Sequence, residues 1–135
     1  MDVLAILHDT LDVSNYLEIG VRNGHSLRLA QSKKIAIDPE PNIDTNDFNQ
    51  LDLYQMPSDY FFSHQTDIDF EKTPIDFAFI DGMHLFEFVL RDFINIESRS
   101  SNEATIVIDD IFPNHPVQAS RQRASNVWTG DVWKI

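Results

Sequence analysis

Two apolar stretches of this chain run directly into carboxylates: Ile75-Asp-Phe-Ala-Phe-Ile-Asp-Gly-Met-His84 and Ala104-Thr-Ile-Val-Ile-Asp-Asp110. A continuous run rich in Ile, Val and Phe is the signature of a strand buried on both faces of a parallel sheet. Ligands of such sheets sit just beyond the carboxyl ends of the strands. Asp81, His84, Asp109 and Asp110 are therefore expected to share one crevice. Three acids and an imidazole suit a hard cation and a proton transfer. Mg2+ takes one or two carboxylates and fills its shell with water and substrate oxygens, and a hydroxyl bound to it becomes more acidic. An unperturbed imidazole titrates near neutrality, where it can take that proton. Taken singly, a loop histidine is commonly a surface residue and an Asp pair commonly caps a loop. Two strands pointing to one crevice favour the chemical reading.

A second constellation is Glu18-Ile-Gly-Val-Arg-Asn-Gly-His-Ser26. Its glycines are four apart, with an acid two residues before the first, which is not the G-x-G-x-x-G of dinucleotide binding. A donor that is cationic at its reacting atom tolerates such an acid. An ordinary strand–turn–helix corner is the plain alternative. Asp38, eighteen residues beyond Gly20, can accept from both hydroxyls of a ribose or close an Asx turn before Pro39. Ser58 stands at the next strand exit, as a base contact or as a helix cap.

The elements that must hold these residues alternate. A short amphipathic helix is expected over Val3–Leu11, then strands over 15–20, 34–38, 51–56, 75–80 and 105–108. Helices are expected over 26–31, 58–64 and 86–99, the last with Glu87 and Arg91 paired four apart. Strands alternating with helices imply βαβ crossovers and a parallel sheet, an α/β doubly wound fold in a single domain over 1–135. Three of the four glycines, Gly20, Gly24 and Gly82, fall at expected strand exits, where backbone turns sharply or approaches a ligand. Phe86, Phe88 and Phe93 are read as core-facing. His8, His25, His64 and His115 receive no role.

These residues resemble a known family. Glu18-Ile-Gly-x-x-x-Gly-His-Ser26 resembles motif I of class I S-adenosylmethionine-dependent methyltransferases, most closely the catechol-type and sugar O-methyltransferases. Ile80-Asp-Gly-Met-His84 and Ile108-Asp-Asp110 resemble the metal-binding segments of the Mg-dependent enzymes, particularly the macrocin-type sugar branch. The resemblance covers about residues 14–112. It implies a Rossmann-like fold, S-adenosylmethionine and Mg2+ (or Mn2+) as cofactors, and methyl transfer to a small hydroxylated acceptor. It further implies that Glu18, Gly20, Asn23, Gly24 and Ser26 line the donor's methionine and ribose side. Asp38 would hold the ribose, with Ser58 and Asp81 also on the donor; Asp81, Asp109 and Asp110 would bind the metal, and His84 would be the base. Arg22 stands where many relatives have another glycine. Class I enzymes usually add a helix and a final strand pair after the fifth strand, so the chain resembles an N-terminal portion of a longer enzyme. Trp128 to Ile135 reads as a helix start, with Thr129 as cap and Asp131 in the first turn.

Composition bounds the alternatives. A net charge of −12 argues against nucleic acid, since no basic patch could neutralise a phosphate backbone. The absence of cysteine excludes disulfides and thiolate metal sites. No apolar run approaches the ~20 residues of a membrane span, and the amino terminus lacks a basic leader, so the expectation is a soluble cytoplasmic protein. A metal-dependent hydrolase using the same acids, or a non-catalytic interaction module, are the alternative functions. With its fifth strand as an open edge, the chain is expected to form a homodimer there. The segment 119–135 would fold over that edge or exchange between subunits.

Overall fold

The apolar runs pair as one five-stranded sheet in the computed structural model, which describes residues 3–64 and 67–135. Strands β1 (Asn15–Ile19), β2 (Lys33–Ile37), β3 (Leu51–Tyr54), β4 (Ile75–Ile80) and β5 (Ser100–Ile108) are ordered β3-β2-β1-β4-β5, every pair parallel. The α/β Rossmann-like expectation holds. Register aligns Leu17 with Ile35 and Ala78, and Ile19 with Ile37 and Ile80. Because side chains alternate along a strand, these residues form one apolar layer, covered by helices α2 (Ser58–His64) and α3 (Phe86–Glu97) through Phe61, Phe62, Val89 and Ile96. The intervening residues Tyr16, Ala36, Phe77 and Phe79 face the other way, onto Leu27 and helix α1 (Val3–Thr10). The central strands bury both faces. That is why they read as unbroken apolar runs.

Local chemistry corrects several boundaries. The helix expected over 26–31 is a single 3-10 turn, Leu27–Leu29. Ala30 already has extended backbone, ψ 123°, leading into β2, so the connection has no room for a full α-helix. β5 begins at Ser100, five residues earlier than the apolar run suggested, with an irregular register between Ile75 and Phe77. Glu87 and Arg91 do not pair. Arg91 instead makes a bidentate contact to Asp59 at 3.0 and 2.7 Å, and Glu87 receives Arg121, because a fork-on-carboxylate contact between elements outcompetes a single contact along a helix. On α3 the buried positions are Val89, Asp92 and Ile96, while Ile94 is 54% exposed.

The final segment also departs from expectation. It forms only a 3-10 turn, Val132–Lys134, and it docks against the start of α3, with Val132 in the core cluster. Thr129 caps nothing there: its hydroxyl donates to the Gln118 carbonyl. Asp131 is buried and accepts from the Phe86 amide at 2.9 Å. It thus serves as the N-cap of α3, where Leu85 has no side chain able to do so. Burial pushes its carboxyl up, but the Phe86 amide, Lys134 and Arg121 outweigh that and hold it down at about 2. Val132, fully buried in the main core, adds roughly 1.5 kcal/mol to this docking. Among the described residues no helix is long and apolar enough to cross a membrane.

Candidate active site

The loops leaving β1 and β4 lie directly against each other. The Asp81 amide donates to the Ile19 carbonyl at 2.8 Å, and the Gly20 amide to the Ile37 carbonyl at 3.0 Å. Gly20 has φ +87°, and a Cβ there would fall 1.9 Å from the Asp81 carbonyl oxygen, so only glycine fits. Beyond this contact opens a crevice of about 380 Å³ at the carboxyl ends of the strands, lined by Gly20, Asp38, Ser58, Asp81, Phe88 and Asp92 among others. A larger depression of about 900 Å³, around Asp69, Glu71 and Arg99, lies at the opposite end of the sheet and touches none of the candidate residues. Ligands of parallel sheets bind at the carboxyl end, which selects the smaller crevice.

Asp38 fixes the glycine turn. One carboxylate oxygen accepts from the Val21 and Arg22 amides, both at 2.8 Å, and the other closes an Asx turn with Glu40 at 2.7 Å. Arg22 itself has φ 48°, the left-handed region that suits the glycine common at this point, and its side chain is exposed. Asp38 remains half-exposed on the crevice wall, with lone pairs to spare.

Glu18 does not line the crevice. Register sets it opposite Ala36 and Phe79, on the α1 face with Tyr16, and it is 0% exposed. Its carboxylate accepts from the Tyr16 hydroxyl at 2.8 Å and the Ser26 hydroxyl at 2.6 Å. Burial pushes its pKa up to about 7 against the pull of those two hydrogen bonds, with Asp81 and Asp38 adding repulsion. Ser26 is therefore spent on Glu18. Gly24 packs against Phe48 and Ile43, and Asn23 is exposed, accepting from the Asn42 side-chain amide at 3.1 Å. These four residues shape the turn from behind; Gly20, Asp38, Ser58 and Asp81 line the crevice.

Asp81, His84 and Asp110 converge, each offering one ligand atom within 4.8 Å of the others. His84 Nε2 lies 3.5 Å from Asp81 Oδ1, and Nδ1 lies 3.0 Å from Asp110 Oδ2 and 2.7 Å from the Trp128 carbonyl oxygen. The Asp81 hydrogen bond raises the His84 pKa despite partial burial, helped by the Trp128 carbonyl and by the charges of Asp110 and Asp81. Burial raises Asp110 in turn, with His84 opposing and Asp109 and Asp81 reinforcing. Asp109 is outside this group. Asp110 turns into left-handed backbone at φ 59°, carrying its side chain to His84, whereas Asp109 is exposed and accepts from the Asp110 amide at 2.8 Å.

The sequence reading missed Asp92, Phe88 and Trp128. Asp92, 3% exposed, has one oxygen without a partner; burial raises its pKa to about 6 while the Ser58 hydrogen bond pulls it down. Its place at i, i+3, i+7 with Val89 and Ile96 was a usable signal, since an acid in a buried stripe needs a reason. Phe88, read as core, lies on the crevice wall with the Arg91 guanidinium 4.5 Å over its ring. Nothing local marks Trp128, whose contact with His84 spans 44 positions.

Comparison with curated proteins finds no match. A family model described as a methyltransferase domain matches residues 17–111, from the middle of β1 through the residue after Asp110. That span holds the glycine turn, the crevice and the carboxylate–imidazole group, so the chain belongs to the methyltransferase-domain family, which implies S-adenosylmethionine as its methyl donor.

Proposed function

We propose that this domain transfers a methyl group from S-adenosylmethionine to a hydroxyl of a small acceptor, such as a sugar, with help from Mg2+ or Mn2+. One observation carries the reading: Asp81 belongs both to the crevice wall and to the group with His84 and Asp110, so the donor pocket and a proton acceptor adjoin. The donor supplies a methyl on a cationic sulfonium, and the carboxylates of Asp38 and Asp81 on the crevice wall suit that charge. Asp38 accepts from the ribose hydroxyls, while Phe88 and Met83 give the base an apolar wall. Asp81 and Asp110 present two hard oxygens, the number Mg2+ usually takes from protein. A divalent cation held there lowers the pKa of an acceptor hydroxyl. His84 takes the hydroxyl proton at Nε2 as the oxygen attacks the methyl carbon, and the fixed crevice walls hold the reactants in line.

Calorimetry with S-adenosylmethionine and its demethylated product, with and without Mg2+, tests this reading. Both nucleosides should bind, and transfer to a panel of hydroxylated acceptors should require the cation. Absence of binding by either nucleoside would overturn the assignment.

A further inference from the structure

The segment from Gln118 to Val132 is tied tightly to the loop that carries His84. The Thr129 and Gly130 amides both donate to the Gln118 carbonyl at 3.1 Å, and the Trp128 indole donates to the Ser120 carbonyl at 2.6 Å. Gly130, at φ +60°, sits so close to His84 that a Cβ would fall 1.6 Å from the His84 carbonyl oxygen. Asp131 then caps α3 two residues beyond His84, and Val132 enters the core. The Trp128 indole stacks on the imidazole, ring centroids 5.3 Å apart and planes 25° from parallel.

This packing has a chemical consequence for the ring. The Trp128 carbonyl at 2.7 Å and the Asp110 carboxylate at 3.0 Å both stand on the Nδ1 side. Carbonyl and carboxylate oxygens can only accept, and the two on the Nδ1 side are closer than the Asp81 oxygen 3.5 Å from Nε2, so the single hydrogen of the neutral ring belongs on Nδ1. In the neutral ring the lone pair then lies on Nε2, the nitrogen facing Asp81. An unconstrained histidine favours the opposite tautomer, with hydrogen on Nε2 and no base to offer on that side. The partner of one ring nitrogen decides what the other can do.

We propose that Trp128 is a positioning residue for His84. Its carbonyl selects the Nδ1–H tautomer and its indole sets the ring plane, so that Nε2 is the nitrogen presented to the acceptor. The claim rests on the reading of His84 as the base.

The test uses the chain labelled with 15N-histidine. Long-range 1H–15N spectra recorded at alkaline pH, where the ring is neutral, report which nitrogen is protonated. The His84 signals among the five histidines are assigned by difference from His84→Gln. Nδ1 should show a protonated-type shift and Nε2 a lone-pair-type shift. The opposite pattern, or an average of the two forms, overturns the proposal. Trp128→Ala removes the indole and keeps the carbonyl, so it should leave Nδ1 protonated while lowering kcat about tenfold or more through loss of the stacked ring plane, the usual cost of losing a partner behind a site residue. The KM for the donor should not change. A Trp128→Ala protein with wild-type kcat also overturns it, and if that variant does not fold the wild-type spectrum alone decides. Failure of the nucleosides to bind would remove the functional reading and leave the spectrum unchanged, whereas an Nε2–H spectrum would remove this inference and leave donor binding intact.

Discussion

Replacing Glu18 by Gln should reverse its effect on stability with pH. Folding moves this carboxyl from 4.5 to about 7, chiefly by burial. The folded chain therefore binds more protons than the unfolded chain between those values, and stability falls as pH rises through the window. At about 1.4 kcal/mol per tenfold in proton affinity, the full loss is roughly 3 kcal/mol, most of which falls between pH ~5 and pH ~8. Glutamine keeps the shape. Its carbonyl accepts from one of the Tyr16 and Ser26 hydroxyls, and its amide donates to the other after that hydroxyl turns. Glu18→Gln should be near neutral or mildly destabilising at about pH 5, and more stable than wild type by about 2 kcal/mol at about pH 8. Urea unfolding followed by fluorescence of Trp128 and Trp133 reads this as a midpoint shift of about 1 M, given ordinary m values. Comparing the two proteins at each pH cancels the titrating groups that are not coupled to Glu18. Parallel stability curves would refute the reasoning, because they would mean that the buried carboxyl carries no pH-dependent penalty.

Asp38→Ala should weaken S-adenosylmethionine binding about tenfold or more, through hydrogen bonds to a charged acceptor worth roughly 1.5–3 kcal/mol; calorimetry showing unchanged affinity would detach this residue from the donor. Asp110→Asn should weaken Mn2+ binding at least about tenfold, while Asp109→Asn should bind like wild type, since only Asp110 faces His84 and Asp81. Paramagnetic relaxation titrations decide, and equal losses in both variants would restore Asp109 to the site. Gly20→Ala should cost about 2 kcal/mol or more in thermal or urea unfolding, because φ +87° is strained for alanine and its Cβ meets the Asp81 carbonyl. A neutral substitution there would show that the two loops are not locked together.

The sheet order and the crevice were legible because both follow from local pattern. Central strands buried on both faces leave apolar runs, and their exits must carry whatever chemistry the fold has. Which side chain reaches the crevice was not legible, because that depends on register. Glu18 is two residues from Tyr16 and so shares its face, yet the sequence cannot say which face lies toward the ligand until β1 is set between β2 and β4. Consecutive residues raise the same difficulty at Asp109 and Asp110, where one left-handed backbone angle sends one carboxylate to His84 and returns the other to the chain.

Long-range caps lie further beyond local reading. Leu85 cannot cap α3, a deficit visible in the sequence, but the remedy comes from Asp131, 45 positions past Phe86. The same docking brings the Trp128 carbonyl to His84. Read locally, Asp81-Gly-Met-His84 holds an imidazole free to carry its proton on either nitrogen. Only the folded segment supplies an oxygen that can do nothing but accept, and that constraint turns a loop histidine into a base with a defined direction. The cap and the tautomer thus share one cause. A change that loosens Asp131 should disturb the chemistry of His84 even though no atom of Asp131 touches the crevice.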